Sequence, residues 1–184
     1  MLILSSQINT FGHLLTYKHF MPLFPKNADL RKSRERGDVD LANGLVKEGL
    51  GVFASLTARV GSIGDNRVGG SVLTDRLSPR TALTVRIRSW VGYRSSKAAT
   101  NQVIATLQRE LSVRATPAIA IALHPGTVPG TNLSAAFTKK GDAGKKPGVM
   151  TAEDSAKSLL DVISKLGEKD GGKFLDWAGK EIPW

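Results

Sequence analysis

The 184-residue sequence predicts an α/β domain built on a parallel β-sheet with flanking helices. Two observations carry this. Gly49–Thr57 (GLGVFASLT) and Ala118–Leu123 (AIAIAL) are short, largely apolar runs bounded by glycine or proline, the pattern of strands covered on both faces. They alternate with segments of helical periodicity, in the order helix, strand, helix, strand, helix, strand. That order calls for parallel strands joined by right-handed crossovers.

The first helix is expected over residues 8–21, where Ile8, Phe11, Leu14, Leu15 and Met21 fall near helical spacing and Pro22 and Pro25 end it. Residues 26–44 are polar and charged and read as a loop. The strand at Gly49–Thr57 follows. Residues 61–92 lack clean periodicity and are expected to form a loop. Residues 93–112 give the clearest helix: Ala99, Val103, Leu107 and Leu111 repeat every four residues, and Thr116-Pro117 breaks the pattern. After the strand at 118–123, His124-Pro125-Gly126 makes a turn, and the Gly-, Lys- and Pro-rich residues 129–150 are expected to form a mobile flap. Thr151 and Asp154 open a further helix in capping-box style, lined by Leu159, Leu160, Ile163 and Leu166 and stopped by Gly167. Phe174–Ala178 is a last short strand.

Composition excludes several classes. Hydrophobic residues make up 41% and charged residues 23%, as in an average soluble protein. No apolar stretch is long enough for a membrane span, and Met1–Leu4 lacks the flanks of a signal peptide. The absence of cysteine removes disulfides, thiolate catalysis and Cys-based zinc sites, and no metal is expected; it suits the reducing cytoplasm. The net charge of +10 raises nucleic acid or anionic lipid as partners. Much of the excess, however, lies in two loop-like stretches, 26–36 and 71–89, and no basic run interleaved with aromatics supports an RNA-binding face. The expectation is no nucleic acid and no membrane.

The chemistry centres on Tyr93 and Lys97. At i and i+4 they share one helix face, one turn apart. A free tyrosine has a pKa near 10; a fixed ammonium beside it favours the phenolate and lowers that value. The tuned phenol can give a proton to a carbonyl oxygen or take one from an alcohol. Tyr-x-x-x-Lys alone is a common helix pattern. Here it follows a buried strand and a Gly-rich loop, and Ser95, Ser96, Ala98 and Ala99 leave room for a ligand to approach.

With these features the chain resembles the short-chain dehydrogenases/reductases, in their sniffer-like or C-factor-like carbonyl reductase subgroup. The resemblance runs through INTFGHLLTYKHFMPL at 8–23, VFASLTARVGSIGDNRVGG at 52–70, YRSSKAATNQ at 93–102 and ALHPGTV at 122–128, with FLDWAGKEIPW as a matching end. It implies a partial Rossmann fold, the C-terminal half of a doubly wound parallel sheet. It implies an oxidoreductase of carbonyl reductase or alcohol dehydrogenase type, acting on a small carbonyl or alcohol with NADP or NAD, NADP being favoured. It implies a catalytic Asn-Ser-Tyr-Lys set. Tyr93 matches the acid/base, Lys97 its partner and a cofactor-ribose contact, and Asn9 the asparagine that holds a water linked to the lysine. Pro125, Gly126, Thr127 and Val128 match the turn against the nicotinamide. The serine position reads Ser55-Leu56-Thr57-Ala58; Thr57 is the chosen hydroxyl, one alignment places Ala58 there, and Ser62 is a spare. A homodimer through the helices carrying Asn9 and Tyr93 is also implied.

Two departures follow from the resemblance. The glycine-rich turn that grips the pyrophosphate, expected ahead of residue 8, is missing, so the chain is expected to bind cofactor weakly and to expose one edge of its first strand; the alternative reading is a non-catalytic remnant. Nineteen residues, 71–89, separate Gly70 from Trp90 where relatives pass almost directly; they are expected to be a translated intron or a surface insertion in an otherwise single domain, 1–184.

Overall fold

A computed structural model describes residues 4, 6–24, 26, 50–66, 81–131, 133–135 and 138–184. Among these, three parallel strands, β1 (Gly51–Leu56), β2 (Ala118–His124) and β3 (Phe174–Asp176), form one sheet in the order β1-β2-β3. Gly51 pairs with Ala118 and Leu56 with Leu123; Ala122 pairs with Phe174 and His124 with Asp176. All three strands therefore end at the same edge of the sheet.

Among the described residues the α-helices are α1 (Gly12–Phe20), α2 (Thr81–Val113) and α3 (Ala152–Ser164). The alternation of β2 assigns them to faces. Ala118, Ala120 and Ala122 meet α2 through Ile104, Leu107 and Leu111, in a core shared with Tyr17, Phe53, Phe174 and Ile182. Alanines here let a helix lie close to the sheet. Ile119, Ile121 and Leu123 point the other way, onto α3 through Val162 and the adjoining Leu166. Thr151 caps α3 by accepting the Asp154 amide at 3.1 Å.

Four expectations change. The first helix opens with a π turn, Gln7–Phe11, runs on as α1 and ends in a 3₁₀ turn, Met21–Leu23, that takes in Pro22. The second helix begins at Thr81, so the expected loop at 81–92 is helical. Extending a helix by further turns is cheap once its nucleus exists, and Leu83, Ile87 and Val91 keep a four-residue spacing through the added stretch. α2 stops where Ala115 turns left-handed (φ 48°), ahead of Thr116-Pro117. The last strand ends at Asp176, because its carboxylate accepts the Ala178 and Lys180 amides and turns the chain. In 129–150, the described residues form turns and a 3₁₀ turn at Lys140–Asp142; Thr127 and Val149 are joined in a bridge that ties the end of this stretch to the turn after β2. The charged stretch 27–44 and residues 71–80 lie outside the described residues, and 81–89 belong to α2.

Among the described residues β1 is an outer strand, with Ala54 and Leu56 exposed. A groove lined by Phe20, Leu23, Phe24, Val52 and Phe53 runs beside it.

Candidate active site

The site lies at the C-terminal edge of the sheet. Lys97 is buried, and its Nζ donates to the carbonyl of Leu56, the last residue of β1, at 3.2 Å. The same ammonium stands over the Tyr93 ring, 5.9 Å from its centroid. The i, i+4 pair therefore faces inward together, at the sheet end where β2 runs into Pro125 and Gly126. Gly61, in the 3₁₀ turn Arg59–Gly61, lets the loop after β1 press on α2: a Cβ there would lie 2.7 Å from the Lys97 Cβ.

Electrostatics differ from the expectation. Burial pushes the Tyr93 phenol up and the Lys97 amine down. The lysine lies over the ring face, where it meets the ring's quadrupole, and desolvation outweighs its pull on the phenol. Tyr93 is thus held firmly protonated at neutral pH.

Asn9 is on the π turn. Its Nδ2 donates to the Ser96 hydroxyl at 3.0 Å, and Ser96 Oγ in turn donates to the Tyr93 carbonyl at 2.8 Å. Thr10 Oγ1 donates to the Ser96 carbonyl at 3.1 Å, and Thr100 hydrogen-bonds the Asn9 carbonyl. Asn9 thus pins the first helix to α2 one residue before Lys97; its amide reaches Ser96 directly.

Both candidate hydroxyls are buried and engaged. Thr57 donates to Asn101 Oδ1 at 2.6 Å. Ser62 binds the Pro183 carbonyl and accepts the Asp65 amide at 2.8 Å, which anchors the C-terminus. Ala58 is half-buried in extended backbone, and offers no hydroxyl. In the Pro125–Val128 turn, Gly126 has φ +75° and lies against the Gly148 carbonyl, so a side chain there would be both strained and blocked. The Thr127 amide donates to Gly148 O at 2.7 Å, and its carbonyl accepts the Met150 amide.

Sequence reading missed three groups. Tyr17 is buried and hydrogen-bonds Ser55 of β1. His13 is partly buried beside Lys97. Asn101 orients Thr57. The i, i+4, i+8 spacing of Asn9, His13 and Tyr17 is the signal that could have found the first two. His124, at the end of β2, is held neutral: burial, then the Arg59 charge, lower its pKa to about 4, against a smaller upward pull from Asp176.

No protein-family profile matches the chain. It is 29% identical to the C-signal protein of Myxococcus xanthus over 141 residues, 77% of this chain and 66% of that protein. It is 34% identical to an uncharacterized oxidoreductase of Saccharomyces cerevisiae over 93 residues, 48% of this chain and 35% of that protein. Among solved structures, carbonyl reductase Sniffer of D. melanogaster superposes with a TM-score of 0.64 at 22% identity, over 97% of this chain and 55% of that one. The NADPH-bound carbonyl reductase from chicken fatty liver gives 0.61 at 25% identity over the same shares. The fold is that of the short-chain dehydrogenases/reductases, and the likeness is to their sniffer-like branch. The chain spans about half the length of these carbonyl reductases. The described residues include the candidate Tyr93–Lys97 pair. Among them no glycine-rich turn opens directly onto a helix.

Proposed function

We propose that this chain carries the proton-transfer half of an NAD(P)-dependent carbonyl reductase. The observation that supports it is the inward-facing Tyr93–Lys97 pair, with Lys97 fixed on the last carbonyl of β1. Tyr93 and Lys97 would hold the nicotinamide-ribose end of the cofactor, beside the turn Pro125–Val128. NADP is favoured over NAD, by the resemblance and by the NADPH of the chicken liver reductase. When bound, the nucleotide supplies the hydride that reduces the carbonyl carbon of a small aldehyde or ketone. Tyr93, kept protonated by burial, donates its proton to the carbonyl oxygen. Lys97 stabilises the phenolate left behind. Asn9 holds the two helices in place around the pair, and Thr57 ties the end of β1 to α2 through Asn101 and, at 3.5 Å, the Lys97 carbonyl.

The test is NADPH-dependent turnover of small aldehydes by residues 1–184. Tyr93→Phe is expected to lower it by about 10²–10⁴-fold. Retained turnover in that variant removes the reading. With no phosphate-gripping turn among the described residues, binding of NADPH is expected to be weaker than micromolar, and a micromolar titration would contradict this.

A second reading is favoured by the exposure of Ile8, Phe11, Leu14, Leu15, Phe20 and Leu23 on the first helical segment. Such a strip suits a non-catalytic remnant that dimerises through the helices carrying Asn9 and Tyr93. Residues 71–89 are read as an insertion or translated intron. Transcripts that join Gly70 to Trp90 directly would support this; continuous coverage would count against the intron.

A further inference from the structure

Asn9, His13 and Tyr17 stand four residues apart and share one face of the first helical segment. The row is anchored at both ends, by Asn9 to Ser96 of α2 and by Tyr17 to Ser55 of β1. Its middle member is partly buried between two anchors that bracket Lys97, since Ser96 precedes that lysine and Ser55 precedes the Leu56 carbonyl it bonds. The His13 ring tilts against Tyr17, with centroids 6.3 Å apart.

We propose that His13 is a positioning residue for the Tyr93–Lys97 pair: a neutral imidazole lets the Lys97 ammonium rest on the Leu56 carbonyl over Tyr93, and a protonated one drives it off. The functional meaning of this device rests on the acid–base reading given above. Two cations on facing helices, half out of water, repel with little screening. The flexible lysine stem is the part that yields, since the imidazole is held between two anchored neighbours. Burial first, and the Lys97 charge second, already keep His13 below its usual 6.5. Among the described residues, the other titratable groups on the elements packed against it are few. α2 presents Tyr93 beside Lys97. β1 (GVFASL) and the turn Met21–Leu23 present none, and Tyr17 on the same helix is pushed up by burial and stays protonated.

The test is an NMR titration of the full chain. The His13 ring signal is assigned by its loss in His13→Gln. Its midpoint is expected to move upward in Lys97→Met and to stay low in Lys97→Arg, which keeps the charge. The cross-relaxation between Lys97 Hε and the Tyr93 ring protons is expected to fade below that midpoint in the wild type and to persist there in His13→Gln. A midpoint unmoved by Lys97→Met, or cross-relaxation that survives His13 protonation, overturns the proposal. The two readings fail separately. Turnover that survives Tyr93→Phe removes the acid–base role and leaves the coupling standing; an unmoved His13 midpoint removes the coupling and leaves the acid–base role standing.

Discussion

The two flanks of β2 are finished differently. On the β3 side, Phe174 is fully buried, its carbonyl accepts the Ile182 amide at 2.7 Å, and Trp184 closes over it with ring centroids 5.6 Å apart. On the β1 side, Ala54 and Leu56 are exposed and an apolar groove lies open beside them. Yet the open flank carries the candidate site: Lys97 hangs on Leu56 and Tyr17 on Ser55. The lesson is that stability and chemistry are divided. Damage to the closed flank is expected to unfold the domain; damage to the open flank is expected to loosen the site first.

The largest effect should come from truncating the same residue type on each side. Phe174→Ala leaves a cavity in a region that cannot collapse, at a cost of about 3–5 kcal/mol. Phe53 contacts Tyr17 and Phe24 edge-on, with centroids 5.0 and 4.5 Å away, and borders the groove. Neighbours can relax into that space, so Phe53→Ala should cost at or below the low end of the same range. Urea denaturation of both variants checks this. Equal losses would erase the distinction between the flanks.

A pH scan sharpens the comparison from the closed side. His124, paired in register with Asp176, has a folded pKa of about 4, below its free value of 6.5. Folding therefore disfavours its cation, and the unfolded chain binds the extra proton. Stability from this group is full above about pH 6.5 and is lost as pH falls toward 4, by up to about 3 kcal/mol. Carboxylates add their own acid loss, so the decisive measurement is the difference between wild type and His124→Gln. The variant should lose less stability between pH 7 and 4.5. Parallel curves would mean that His124 is hydrated in the folded state.

Much of this division was legible in the sequence, and for identifiable reasons. Continuous apolar runs marked both strands; β2 is covered on both faces and needs no alternation, whereas Ala54 and Leu56 of β1 are exposed among the described residues. Tyr93 and Lys97 were legible because helical spacing fixes which side chains share a face. The length of α2 was not: Leu83, Ile87 and Val91 keep a four-residue spacing, but the arginines, serine and glycine among them hid the continuation. The engagement of Thr57 with Asn101 was also hidden, because it depends on the distance between a strand end and a helix 44 residues later. The direction of the Tyr93 shift depended on burial against charge, and spacing alone carries only the charge.

The smallest expected effect on stability tests the open edge most directly. Ala54 is exposed on β1, the outer strand among the described residues, close to the groove. A row of unpaired backbone groups beside apolar side chains invites another chain to add a strand. Ala54→Lys puts a charge there that such an added strand would have to desolvate, while only lengthening a side chain that already faces solvent. Its effect on unfolding free energy should stay within about 0.5 kcal/mol. Its effect on association should be large: light scattering is expected to show a lower mass, or less aggregate, than wild type at the same concentration. If association persists unchanged, the edge of β1 is not where copies meet. The exposed strip from Ile8 to Leu23 then becomes the surface to substitute, starting with Phe11.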